Sequence, residues 1–120
     1  MLFFTMEPCP IMEGLSDQAL TQVAQYFSAL AEPTRLRILN CLRQQEHNVG
    51  ELAERCGCSQ ANVSRHLSTL AKHGLVAREG RGTAVYYRIA DPAIYALCDL
   101  VCGNVARQLE TQAAELGRKT

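Results

Sequence analysis

The sequence predicts a mainly α-helical domain with one small β-hairpin, and three features of residues 49–89 carry that prediction. A short amphipathic helix begins near Val49, sets Leu52, Ala53 and Cys56 on one face, and is broken by Gly57. A second helix follows Ser59, whose hydroxyl can accept from an orphan backbone N–H. Its Val63, Leu67 and Leu70 recur at intervals of four and three, marking one buried stripe. The segments LVARE and TAVYYRI then read as two short strands joined by Gly-Arg-Gly, with Val85, Tyr87 and Ile89 alternating inward. Helix, glycine turn, polar-faced helix and basic hairpin together predict a winged helix-turn-helix, which presents one helix to a DNA major groove.

Taken in order, residues 1–15 lack periodicity and contain Pro8 and Pro10, which predicts an irregular arm holding Cys9. Residues 16–120 are expected to form the domain. Ser16 and Asp17 open a first helix with Leu20, Val23, Phe27 and Leu30 as its apolar stripe. Ala31-Glu32-Pro33 interrupts it, and Pro33 suits the first turn of the next helix. That helix runs through TRLRILNCLRQQ, with Leu36, Ile38, Leu39 and Leu42 apolar. His47 and Asn48 predict a loop into the central motif, and Gly74 ends the motif's second helix. Asp91-Pro92 caps a last long helix in which Ile94, Leu97, Cys98, Val101, Val105 and Leu109 make a wide seam. The first and last helices show more apolar face than a small core can cover, and such a surplus marks an interface. A two-fold dimer joined through them sets two polar helices against successive major grooves, so its DNA site is expected to be pseudopalindromic.

A chain of 120 residues, 48% hydrophobic, fits one domain. Its formal net charge of zero argues against nucleic acid, but the distribution argues the other way. Residues 1–34 hold four acids and no base, whereas residues 59–90 hold Arg65, Lys72, Arg78, Arg81 and Arg88 against Glu79 alone. Basic charge therefore gathers on the second motif helix and the hairpin, where phosphates would lie. MLFFT has no positive n-region and too short an apolar run for a signal, and no stretch suits a membrane span. A cytoplasmic chain with reduced thiols is expected, so the six cysteines point to metal, redox chemistry or burial rather than to a disulfide framework. No Ser/His/Asp or Cys/His arrangement or phosphate loop suggests an enzyme.

Gln60, Asn62, Ser64, Arg65 and Ser68 face away from the buried stripe and can read bases. Asn and Gln pair bidentately with adenine, Arg with guanine, and Ser is a versatile donor. His66 lies at the edge of the core, a phosphate contact or a packing residue before a base reader. Lys72 and the wing residue Arg81 suit phosphates, which give affinity but little sequence information. The competing reading of each is a solvated surface residue.

Cys98 and Cys102 stand four apart on one helical face, so both thiols can approach one ion. Thiolates select soft acceptors; the alternative is two small apolar residues in a dimer seam. A third sulfur can come from Cys9, if the arm reaches the partner's last helix. Cys56 and Cys58 flank the turn glycine and read mainly as core. Cys41 sits beside the Ile38 and Leu42 face and reads as packing.

The blocks ALAEPTRLRILNCL at 29–42, GELAERCGCSQANVSRHLSTLAKHGLV at 50–76 and GRGTAVYYRI at 80–89, with the helix after Asp91, are similar to the arsenic-repressor (ArsR/SmtB) family of bacterial metalloregulators. The resemblance implies a homodimeric repressor that leaves double-stranded operator DNA when an inducer binds. It puts forward trivalent arsenic or antimony, held by three sulfurs, with cadmium as a further candidate. A frequent arsenic or cadmium site of the family uses paired cysteines in an ELCVCDL-like helix, and GELAERC lacks that pair. The family's zinc site needs a histidine on the last helix, which offers Asp99 and Glu110 but none. Some members instead sense oxidants or reactive sulfur through one cysteine in the second helix and one in the last, a role open to Cys41 with Cys98 or Cys102. A rival of another class is a soft-metal-binding or protein-interaction dimer with no DNA function.

Overall fold

The computed structural model describes residues 13–118. In chain order they form α1 (Asp17–Leu30), α2 (Pro33–Leu42), β1 (His47–Asn48), α3 (Val49–Cys56), α4 (Gln60–Lys72), β2 (Val76–Arg81), β3 (Ala84–Ile89) and α5 (Ile94–Arg118). The helices α1 to α4 start where a side chain can satisfy an orphan backbone N–H. Ser16 Oγ accepts from Ala19 N, Glu32 Oε1 from Thr34 N and Ser59 Oγ from Asn62 N, each at 3.1 Å. Pro33 occupies the first turn of α2, as expected. Asn48 and Glu51 form a reciprocal capping box: Glu51 N donates to Asn48 Oδ1 at 2.8 Å, and Asn48 N to Glu51 Oε1 at 3.0 Å. Gly57 ends α3 in the left-handed region, at φ 68 and ψ 35, and turns the chain toward α4.

The sheet differs from the expected hairpin. It has three antiparallel strands in the order β1-β3-β2. Residues 47 and 48, expected as a loop, pair as His47 with Tyr87 and Asn48 with Tyr86. A two-residue strand has no alternation to display, and its pairing follows from where α2 and α3 bring the chain. The turn is displaced too. Gly80 and Arg81 pair with Val85 and Ala84, leaving Gly82-Thr83 as a two-residue connection. Gly82, at φ 62, supplies the positive φ that such hairpins require.

Ile38, Leu39 and Leu42 of α2, Leu52 of α3, and Val63, Leu67 and Leu70 of α4 meet Leu75, Val76 and Ile94 in one buried core. The stripe expected on α4 is thus wholly inside. The stripes of α1 and α5 are not. Ala29 is the buried residue of α1, while Leu20 and Phe27 stay exposed. On α5, Ile94 is buried and Leu97 and Cys98 border the core, but Val101, Val105 and Leu109 lie open. The apolar surplus expected on the first and last helices is therefore left in solvent by the single chain. Among the described residues no helix is long and apolar enough to cross a membrane.

Candidate nucleic-acid interface and inducer site

Burial of Val63, Leu67 and Leu70 turns the opposite side of α4 outward. Gln60, Ser64, Arg65, Ser68 and Lys72 are exposed and Asn62 is half-buried. The Arg65 guanidinium donates to Asn62 Oδ1, which pre-orients both groups on the outer face. The cap at Ser59 and the Gly57 turn set the angle at which this face leaves the body of the domain.

The wing places Arg81 differently from a free phosphate contact. Its guanidinium forks onto both carboxylate oxygens of Glu46, reaches Glu79 Oε1 at 3.3 Å and lies 4.8 Å from the centre of the Tyr86 ring. Arg81 holds the Glu46 carboxyl below the usual range. Arg88 also approaches Glu79, at 3.7 Å. Arg78, counted in the sequence only as charge, is exposed at the start of the wing.

His66 corrects the expectation of a phosphate contact and takes the packing alternative. It is 5% exposed. Its Nδ1 lies 3.1 Å from Arg35 Nη1, and its Nε2 lies 3.2 Å from Glu32 Oε2 without a well-directed hydrogen bond. Burial lowers the imidazole pKa, Glu32 opposes that shift, and Arg65 and Arg35 add to it. The position follows from helical geometry, because residue 66 adjoins Val63, Leu67 and Leu70 on the inner half of α4.

Cys98 is half-buried and Cys102 exposed on α5. Together they line a cavity of about 370 Å³ between α2 and α5, with Leu36, Asn40, Arg43 and Asp99 among its walls. A second hollow of about 210 Å³, lined by Phe27, Leu36 and Val101, adjoins the same two cysteines. Burial raises the Cys98 thiol pKa, as do Cys102 and Asp99, while Arg43 lowers it. Among the described residues no three His, Cys, Asp or Glu side chains gather as a metal site. The two thiols suit a soft ion chemically, but a third donor has to come from elsewhere. The expected Cys9 lies outside the described residues.

Cys41, Cys56 and Cys58 pack against the core, as expected. Burial, followed by the neighbouring Cys41 thiol, pushes Cys56 up to about 11. Tyr95 is pushed up to about 12 by burial, against Arg43, with Cys98 and Cys41 both adding to the rise. Its hydroxyl donates to the Leu39 carbonyl at 2.5 Å, tying the start of α5 to α2.

Comparison with known proteins agrees with this geometry. Residues 30–79 match the helix-turn-helix domain family. The chain is 37% identical over 94 residues to the HTH-type transcriptional regulator Rv0081 of Mycobacterium tuberculosis, covering 78% of this chain and 82% of that one. The crystal structure of Rv0081 superposes with a TM-score of 0.74 at 34% identity, over 82% of this chain and 99% of the other. The homodimeric winged helix-turn-helix DNA-binding domain of Mb0332 from Mycobacterium bovis, a possible ArsR-family regulator, gives a TM-score of 0.70 at 38% identity, over 81% and 93%. A transcriptional repressor SmtB homolog of Synechocystis is 44% identical over 75 residues, 62% of this chain and 56% of that protein. The relatives are transcriptional regulators rather than enzymes. With these matches spanning the helix-turn-helix, the wing and the flanking helices, the chain belongs to the ArsR/SmtB family of winged helix-turn-helix transcriptional regulators.

Proposed function

We propose that this chain is one protomer of a cytoplasmic homodimeric repressor that holds a pseudopalindromic operator when reduced and ion-free, and leaves it when a thiophilic ion binds at α5. The observation that carries the reading is the position of Cys98 and Cys102. They open together into the α2–α5 cavity and also border Phe27 and Val101 on the exposed apolar face. An ion held there acts on the surface through which two copies would join. Trivalent arsenic or antimony suits the pair if Cys9, in the segment 1–15 expected as an arm ahead of the domain at 16–120, supplies the third sulfur; cadmium is the alternative. On the DNA side, Gln60, Asn62, Ser64, Arg65 and Ser68 read bases, while Lys72, Arg78 and Arg81 approach phosphates. Coupling of this kind is typically worth ~1–3 kcal/mol, enough for release, and by reciprocity operator DNA weakens the ion by the same factor.

The experiment is operator release followed by fluorescence anisotropy, with reduced anaerobic protein titrated with arsenite, antimonite and cadmium. A soft ion is expected to release wild type but neither Cys98→Ser nor Cys102→Ser. Equal ion affinity with and without DNA would sink the reading. A second reading, release by oxidant or reactive sulfur, draws on Cys41 and Cys98, which with Tyr95 pack against the same core. It predicts release by persulfide without metal, abolished by Cys41→Ser.

A further inference from the structure

Arg35 stands where three helices converge. Its Nε donates to the Ala29 carbonyl at 2.6 Å and its Nη2 to the Ser28 carbonyl at 3.3 Å, both in the last turn of α1. Its Nη1 lies 3.1 Å from Nδ1 of His66 on α4. A guanidinium can only donate, so Nδ1 must be the acceptor and a neutral ring carries its proton on Nε2. That nitrogen faces the buried Glu32 Oε2 at 3.2 Å, and the other oxygen of Glu32 caps α2 through Thr34 N. Beside this junction, Gln25 and Ser28 of α1 are separated from Thr69 and Lys72 of α4 by a cavity of about 260 Å³, with Arg35 in its wall. Here a charged fork bridges α1 and α4 beside the buried Ala29.

We propose that Arg35 and His66 are positioning residues for operator binding. The guanidinium couples the end of α1 to the recognition helix, so that displacement of α1 changes the pitch of α4. The proposal rests on the DNA reading of α4 and on α1 being part of the dimer surface, where Leu20 and Phe27 are exposed. It assigns neither residue a DNA contact. Lysine cannot replace the fork, because a point ammonium cannot hold two carbonyls and a ring nitrogen in one plane.

The test compares Arg35→Lys, His66→Asn and His66→Gln on the full-length dimer, with operator and random-sequence DNA at one salt concentration. Asn can place an amide oxygen near the Nδ1 position and keep the Arg35 bond, whereas Gln keeps only the reach toward Glu32. We expect Arg35→Lys and His66→Gln each to lose operator affinity about tenfold, the scale of one well-placed hydrogen bond to a charged group. Random-sequence affinity should be unchanged, His66→Asn should stay near wild type, and the double variant Arg35→Lys/His66→Gln should be no worse than either single change. Equal losses for Asn and Gln, additive losses in the double variant, or parallel losses on both DNAs would overturn the coupling. Sedimentation and circular dichroism confirm that each variant is a folded dimer. Should the histidine variants unfold, nitrogen-15 NMR of the wild-type ring decides, and a protonated Nδ1 at neutral pH overturns the proposal. Wild type that binds no palindromic DNA fails the DNA reading itself, whereas wild-type binding with an unaffected Arg35→Lys fails only the coupling.

Discussion

Arg43 of α2 grips Asp99 of α5 with both ends of its guanidinium, at 2.9 and 2.7 Å, and its charged centre lies 4.7 Å from the middle of the Tyr95 ring. The pair borders the cavity that Cys98 and Cys102 share. Asp99 raises the Cys98 thiol and Arg43 lowers it, so the two partners tune the nucleophile in opposite directions. Asp99→Asn should therefore shift the pH profile of Cys98 alkylation downward, and Arg43→Met should shift it upward. Peptide-level mass spectrometry of the alkylated protein resolves Cys98 from its neighbours. Thermal stability should scarcely change, because the ion pair lies in solvent. Identical alkylation profiles in both variants would show that the pair does not act on the thiol.

Gly57 offers a test of the turn free of packing effects. Its φ is 68, and a Cβ placed on it would meet nothing within 4 Å. Gly57→Ala should thus lose only what a left-handed conformation costs an L-residue, about 1–2 kcal/mol. Gly57→Asn should lose less, since asparagine visits that region more readily. Urea unfolding measures both, and a loss far above this range would indicate a contact absent from the folded single chain.

The buried imidazole of His66 gives stability a defined dependence on pH. Burial holds its pKa below the ordinary value, so the unfolded chain takes up that proton first as the solution is acidified. Stability should be flat above neutrality, fall as pH drops below about 6.5, and level off beneath the folded-state value. Glu32 acts with the same sign at lower pH. The Thr34 N–H and then His66 hold its carboxyl down, so its contribution is present above the unfolded carboxylate value and is lost through the folded one. Urea midpoints between pH 8 and 5 should show the first fall in wild type and a flatter course in His66→Asn. A midpoint that rises on acidification would contradict the assignment.

On the wing, Glu46 occupies the Arg81 guanidinium that the proposed function assigns to a phosphate. Glu46→Gln removes a negative charge near the proposed phosphate contact and weakens the fork that occupies Arg81. Operator affinity should rise about threefold at moderate salt, with a steeper salt dependence, as one more cation neutralises phosphate. Anisotropy titrations at several salt concentrations give both numbers. A fall in affinity would mean that Glu46 holds Arg81 in its working position.

Local chemistry was enough to read α3, the Gly57 turn and α4, because helix periodicity and N-capping involve residues only a few positions apart. Val63, Leu67 and Leu70 are buried as their spacing predicted, and Ser59 caps the helix it was expected to cap. The apolar surplus of α1 and α5 was legible for the same reason: a stripe shows its width before anything covers it. Partners distant along the chain could not be read. Strand β1 exists because His47 meets Tyr87, and the hairpin turns at Gly82-Thr83 because pairing continues through Gly80 and Arg81.

The site divides along the same line. Which side chains of α4 point outward followed from its hydrophobic phase. What Arg81 grips did not, since Glu46 lies 35 residues away. The pairing of His66 with Arg35 spans 31 residues, and that of Arg43 with Asp99 spans 56. Periodicity and caps act over one helical turn and are written in neighbouring residues. Hydrogen bonds and ion pairs between elements depend on how the core docks one helix against another, and only the folded chain assigns them.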